Sequence, residues 1–149
     1  MNIEIHTRSE QRKAFVMAAA TFFAKELNIH KLNFTLDIFP MKGLRERGTR
    51  GLAHMEYGGR GTKKMEIHID SRLPENLLIS TLAHEMVHIK QMLRGQYWAF
   101  TDDYGTPVRF WLGKQVDAKY IDQPWEIEAW AKERLLSVKY ESIIYEFGV

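Results

Sequence analysis

The chain has 149 residues, of which 45% are hydrophobic and 27% charged, with a formal net charge of +2 and no cysteine. This length and composition predict a single domain, residues 1–149, with its own hydrophobic core. The lack of cysteine excludes disulfides and thiolate sites, so a transition metal would need His, Asp or Glu ligands. The N-terminal segment lacks the apolar stretch of a secretory signal, and no apolar run could span a bilayer, which favours a cytoplasmic protein without a membrane partner.

The first half of the chain combines one helical pattern with several strand patterns. A short strand, NIEIH, precedes Ser9, which is a good N-cap for a helix that runs to about Leu27. The segment KLNFTLDIF alternates apolar and polar residues and predicts a strand ended by Pro40. After a glycine-bearing basic loop, LAHMEYG and KMEIHID predict two further strands, joined by a loop or hairpin in YGGRGTKK.

The second half is predicted to be mainly helical. Pro74 begins a helix that continues to Arg94, with Gly95 placed to cap its end. VRFWLGKQV suggests a hairpin around Gly113, and DQPWEIEAWAKERLLSVKY predicts a last helix with Pro124 near its first turn. Strands followed by helices in this order are typical of an α+β fold.

The helix predicted after Pro74 contains two histidines four residues apart, in LISTLAHEMVHIKQM, residues 78–92. On a helical projection His88 lies about 40° and Glu85 about 100° from His84, whereas the apolar residues lie at about 120° to 220°. Two imidazoles one turn apart can bind one metal ion, and the glutamate lies beside that ion with a carboxylate placed to take a proton from water. The pattern therefore predicts a metal site of the H-E-x-x-H type.

A catalytic zinc ion usually has three protein ligands, and no histidine follows His88. The third ligand is therefore expected to be a carboxylate from a later segment of the chain. The PWEIEAWA helix offers Glu126 and Glu128, which lie about 160° apart around the helix axis, so only one of them can face the metal. The other downstream candidates are Asp102, Asp103, Asp117, Asp122 and Glu133.

HEMVH followed by a helix with a glutamate in an E-x-x-A setting resembles the gluzincin branch of the zincin metallopeptidases. LPENLLISTLAHEMVHIKQ and the strands before it are similar to small phage-type and SprT-like members of the zincin group, although SprT-like proteases typically use a third histidine. The resemblance covers about residues 32–138. It implies Zn²⁺ as cofactor and a zincin-like fold, with an N-terminal helix and a small twisted mixed sheet packed on the H-E-x-x-H helix.

The resemblance also implies roles for individual residues. His84, His88 and Glu126 would bind zinc, with Ala129 at the small position of E-x-x-A, and Glu85 would be the general base for cleavage of a protein or peptide substrate. Trp130 stands where relatives often have Asp or Asn, which leaves the usual carboxylate partner of a ligand histidine unassigned.

Further residues are weaker candidates for a role. One of the two strands before the motif helix could pair with an extended peptide, and His54 and His68 on them are alternative metal or proton-transfer residues, although exposed strand histidines are more common. An oxyanion donor would come from Tyr97, Tyr104 or Tyr120, of which we favour Tyr120 as a second catalytic residue.

Two alternatives to a peptidase remain open from the sequence. The first is a non-catalytic zinc-containing protein that binds or regulates a partner, although Glu85 would be superfluous in a purely structural site. The second is a nucleic-acid-associated protein, because KGLRERGTR carries four basic residues. A solvated basic loop is the better interpretation of that segment, since the net charge is close to neutral and no other feature supports a nucleic-acid partner.

Overall fold

A four-stranded mixed sheet forms the first half of the protein, in a computed structural model that describes residues 1–56 and 61–146. Its strands have the order β1-β2-β4-β3; β1, β2 and β4 are parallel and β3 is antiparallel to β4. Because β4 is its only strand neighbour among the described residues, β3 lies at an edge of the sheet. The strands are β1 (Asn2–Ile5), β2 (Phe34–Met41), β3 (Gly51–Glu56) and β4 (Lys63–Asp70).

One face of this sheet is buried under two helices, α1 (Glu10–Glu26) and α2 (Glu75–Leu93). The alternation seen in the sequence produces this burial, since every second residue of a strand points to the same face. Ser9 begins α1 as predicted, and its Oγ accepts a hydrogen bond from the Arg12 amide. The inward-facing strand residues are Phe34, Leu36, Ile38, Met65, Ile67 and Ile69.

The helix that carries the HEMVH motif is buried on nearly all sides. α2 packs against β3 and β4 on one side and against α1 and α3 (Pro124–Glu146) on others. Most of its residues are therefore buried, including polar ones such as His84, Glu85 and Gln91. Polar side chains in such surroundings need hydrogen-bond partners or a bound ion, so this helix is the best candidate to carry a functional site.

A second sheet follows α2 in the chain and precedes α3. It is antiparallel, in the order β5-β6-β7, with β5 at Tyr97–Thr101, β6 at Pro107–Trp111 and β7 at Lys114–Val116. The predicted hairpin around Gly113 is confirmed: Leu112 and Gly113 both have positive φ, as a tight hairpin turn requires. β5 was not predicted, and the C-terminal part is less helical than expected because these three strands precede α3.

The α+β class predicted from the order of elements is confirmed. β2 continues one residue past the predicted stop at Pro40, which pairs with Ile69 of β4 near the end of the strand. The predicted connection in YGGRGTKK falls partly on residues 57–60, which lie outside the described residues. Within the described part of the chain, none of the helices combines the length and the apolar character needed to cross a membrane.

Candidate metal centre

The two histidines of the HEMVH motif meet a carboxylate where α2 packs against α3. Glu126 lies in the first turn of α3 and is only 5% exposed. Its Oε1 atom is 3.0 Å from Nε2 of His84 and 2.6 Å from Nε2 of His88. One potential ligand atom from each of the three residues thus lies within 4.8 Å of the others.

The donor set and its dimensions suit a zinc ion. Two imidazole nitrogens and one carboxylate oxygen are typical protein ligands of catalytic zinc. Ligand atoms on a tetrahedral zinc are about 3.3 Å apart. The observed contacts of Glu126 with His84 and His88 are 3.0 and 2.6 Å, so they need to widen by only about 0.3 to 0.7 Å. A few side-chain torsions can supply such a shift without moving the helices.

Each imidazole has a hydrogen-bond acceptor for a proton on Nδ1. The Nδ1–H of His84 donates to Oε1 of Glu133 at 2.8 Å, and the Nδ1–H of His88 donates to Oε1 of Gln91 at 2.8 Å. With Nδ1 protonated in each ring, Nε2 faces the common site beside Glu126, and its lone pair becomes available to a metal once its own proton is displaced. Partners of this kind orient ligand histidines and raise their basicity.

Gln91 is completely buried, and its own orientation is fixed from α3. Its Nε2 donates to the Trp125 carbonyl at 2.9 Å and to Oε1 of Glu128 at 3.0 Å. The amide oxygen therefore has to face His88. Through Gln91, the packing of α3 on α2 sets the ring position of His88.

Glu128, the alternative third ligand, faces a different part of the interface. Its Oε1 accepts hydrogen bonds from Lys90 Nζ at 2.8 Å and from Gln91. These two donors hold Glu128 beside Lys90 and Gln91 of α2, whereas Glu126 contacts His84 and His88. The structure therefore brings Glu126 to the histidines and gives Glu128 a role in joining the two helices.

The charges of the site stabilise one another when no ion is present. Burial opposes the charge on His84, but hydrogen bonds to Glu126 and Glu133 outweigh it and raise the pKa of His84 to about 10. The pKa of His88 is also raised, against burial, by Glu126 and by the charge of Glu85. Burial would raise the pKa of Glu126, yet the two imidazoles lower it to about 2. Zinc binding must therefore displace protons from the histidines.

Glu85 lies against the edge strand, and it is only 6% exposed. Burial raises its pKa to about 6, although the nearby charges of His88 and His84 act in the opposite direction. The first residue of β3 is a glycine for a steric reason: a Cβ at Gly51 would lie 3.1 Å from Cγ of Glu85 and 3.0 Å from Cγ2 of Thr81. The backbone of β3 therefore approaches α2 more closely than a larger residue would permit.

The site opens into a cleft of about 750 Å³ between β3, α2 and the start of α3. Tyr120 is on its wall, in a 3₁₀ turn (Tyr120–Asp122) before α3, with its ring against Trp130 at 5.4 Å. The pKa of Tyr120 is raised by partial burial and by the negative charges of Glu126 and Glu85. Its hydroxyl thus stays protonated as a hydrogen-bond donor. The other lining residues include Arg50, Leu52, Ala53, Ser80, Tyr97, Arg109, Gln123 and Trp125.

The other candidates from the sequence lie in several places. Tyr97 lines the cleft and packs on Trp125, with ring centroids 4.8 Å apart. Tyr104, at 94% exposure in the turn between β5 and β6, is not among the residues lining the cleft. His54 and His68 are on the sheet face that points away from α2, so they contribute nothing to this centre.

Three residues of the site were not recognised in these roles from the sequence. Glu133 was only one of several possible third ligands, yet its spacing of seven residues from Glu126 places both on the same face of α3. Gln91 follows His88 by three residues, so the two also share a helix face. No sequence pattern could have identified Gly51, because its role depends on how closely β3 approaches α2.

Comparisons of this chain with protein-family models, with curated proteins and with solved structures returned no match.

Proposed function

We propose that this protein is a zinc-dependent metallopeptidase of the zincin type. One observation carries the proposal: Nε2 of His84, Nε2 of His88 and a carboxylate oxygen of Glu126 converge at one point, with Glu85 buried beside them in an open cleft. A purely structural metal site has no need of an additional buried carboxylate or of a cleft. Both are needed to activate water against a substrate.

Zinc bound in this site would acidify a water molecule and polarise the carbonyl of the peptide bond to be cleaved. Glu85 accepts the proton of the attacking water and then delivers it to the leaving amine. In the metal-free site burial raises the pKa of this carboxyl to about 6, so the group is a base most of the time at neutral pH. The glycine at position 51 leaves room for the Glu85 side chain beside β3.

The edge strand offers a binding surface for the substrate. β3 is paired with β4 on one side, and its first residues line the cleft. An extended peptide that pairs with the other side of β3 would place a backbone carbonyl near Glu126 and the two histidines. Tyr120, on the opposite wall, is the proposed donor to the oxyanion that forms on that carbonyl.

The experiment that tests this proposal is the substitution Glu85→Gln. It retains the size of the side chain and removes the base, so we expect zinc content to stay at that of the parent and hydrolysis to fall by a factor of about 100 or more. Glu75→Gln, the same change on the exposed first turn of α2, is the matched control and should leave hydrolysis unchanged.

Hydrolysis would be followed with fluorescein-labelled casein and with a mixture of quenched fluorogenic peptides, and zinc with elemental analysis. Cleavage by Glu85→Gln at the rate of the parent would show that the assigned base is wrong. If the zinc-loaded parent cleaves neither probe, the non-catalytic zinc protein replaces the peptidase as the better description.

A further inference from the structure

A second group of metal-binding side chains lies on the open face of the first sheet, opposite the face covered by α1 and α2. His54 belongs to the edge strand β3, and Glu66 and His68 belong to β4. In the register of the sheet His54 is directly opposite Glu66, and His68 is two residues further along β4. All three side chains therefore project from the same face, where neighbouring strands bring them close together.

The geometry of this group repeats that of the first centre. Oε2 of Glu66 is 3.0 Å from Nε2 of His54 and 3.0 Å from Nε2 of His68. One ligand atom from each residue lies within 4.8 Å of the others. One carboxylate oxygen thus contacts two imidazole nitrogens. A cation that replaced the hydrogen atoms of these two contacts would be bound by all three side chains.

The two imidazoles are held in place before any ion binds. The His68 ring is stacked on Phe39, with centroids 5.2 Å apart, and its Nδ1 is 2.8 Å from Sδ of Met41. The His54 ring is stacked on that of His68 at 5.4 Å, with only 10° between the planes. With Nδ1 of His68 directed to a thioether, a weak acceptor, its Nε2 is the nitrogen that faces the carboxylate.

We propose that His54, Glu66 and His68 form a second binding site for a divalent transition-metal ion, for which Zn²⁺ is the natural probe. Two imidazoles and one carboxylate favour zinc over the harder calcium and magnesium ions. The side chain of His54 is 50% exposed and those of Glu66 and His68 about a quarter, so water completes the coordination. Binding is accordingly weaker than at the buried first centre.

A metal ion at this second site connects the edge strand to its neighbour through side chains, in addition to the backbone hydrogen bonds. The opposite face of β3 begins with Gly51, where an added Cβ would lie 3.1 Å from Cγ of Glu85. An ion bound by His54, Glu66 and His68 therefore restrains the strand that borders the cleft. We expect the amides of β3 to exchange hydrogen more slowly once the second equivalent of zinc is bound.

The sheet carries a natural control for this proposal. His6, on the same face, lies 2.8 Å from Asp37 and is stacked on Phe39 at 4.4 Å. Its group, which also includes Glu4, offers only one imidazole. His6→Ala therefore removes a histidine of similar surroundings without touching the proposed ligands.

The test is a zinc titration of the parent, His68→Ala, His54→Ala and His6→Ala, with a competing chromogenic chelator to resolve the two affinities. We expect the parent and His6→Ala to bind a tight and a weaker equivalent. His68→Ala and His54→Ala should each still bind the tight equivalent. Each should bind the weaker equivalent about 100-fold or more less tightly, because loss of a ligand costs at least as much affinity as loss of a contact that supports a ligand. Circular dichroism of each variant checks that it is folded.

Two results would overturn the proposal. One is a parent that binds a single equivalent of zinc which His54→Ala and His68→Ala leave unchanged; the other is a weaker equivalent that survives in His68→Ala or disappears in His6→Ala. Because none of these residues lies in the cleft, the outcome is independent of whether the first centre is catalytic. Imidazole NMR signals of His54 and His68 in the parent, which should shift only with the second equivalent, give a readout that requires no substitution.

Discussion

Replacing Glu133 by alanine should weaken zinc binding although Glu133 is not a ligand. Its carboxylate is 2.8 Å from Nδ1 of His84 and lies on the same face of α3 as Glu126. Alanine removes the acceptor, so the His84 ring loses the contact that orients it and makes Nε2 more basic. The geometry of His88 and Glu126 is left as it is.

The size of the effect follows from two separate estimates. A partly buried hydrogen bond to a charged group contributes about 1.5 to 3 kcal/mol. Loss of such a supporting contact lowers metal affinity by about 10- to 100-fold, which corresponds to about 1.4 to 2.7 kcal/mol. The side chain of His84 is only 11% exposed, so the upper part of the range applies. Glu133→Gln, which keeps an oxygen acceptor, should lose less.

The pH dependence provides a sharper signature. Glu133 is one of the groups that raise the pKa of His84 to about 10, and this makes protons compete with zinc at neutral pH. Glu133→Ala lowers that pKa and so relieves the competition, which offsets part of the loss at pH 7. The ratio of parent to variant affinity should therefore grow as the pH is raised from about 7 to about 9.

The measurement is a chelator-competition titration with zinc at several pH values. Glu141→Ala, the same substitution two turns further along α3, is the control and should match the parent. If Glu133→Ala binds zinc as tightly as the parent at every pH, the contact with His84 does not support the metal site, and the reasoning is refuted.

Three further predictions concern the cleft and the metal-free protein. Gly51→Ala should lower the free energy of unfolding by about 1 to 3 kcal/mol and reduce hydrolysis, because the added methyl displaces Glu85; chemical denaturation and peptide cleavage measure the two effects. Tyr120→Phe should reduce kcat by about 100-fold at unchanged zinc content, and an unchanged kcat would remove Tyr120 from the mechanism. In the metal-free protein, the contribution of His84 to the free energy of unfolding is complete below pH 6.5 and is lost as the pH rises towards 10. The contribution of Glu126 is complete above pH 4.5 and is lost as the pH falls towards 2. Thermal denaturation should therefore show the stabilisation by zinc increasing from pH 6 to pH 8, and a constant difference would contradict the displacement of protons.

The order of helices and strands could be read from the sequence because it depends on local patterns. Alternation predicted β2 and β4, the Ser9 cap predicted the start of α1, and the spacing of His84 and His88 predicted that two imidazoles share one edge of α2. β5 was missed because its aromatic residues are half exposed at the surface, where alternation carries little information.

The completion of the site depended on tertiary structure. Helical geometry could not choose between Glu126 and Glu128, because each lies on an apolar helix and only the contact with α2 decides which one reaches the histidines. The same holds for Glu133 and Gln91, whose partners are on another helix, and for Gly51, whose role exists only where β3 touches α2. Periodicity describes which residues of one element share a face; the neighbour that this face meets is decided by contacts between residues distant in the chain.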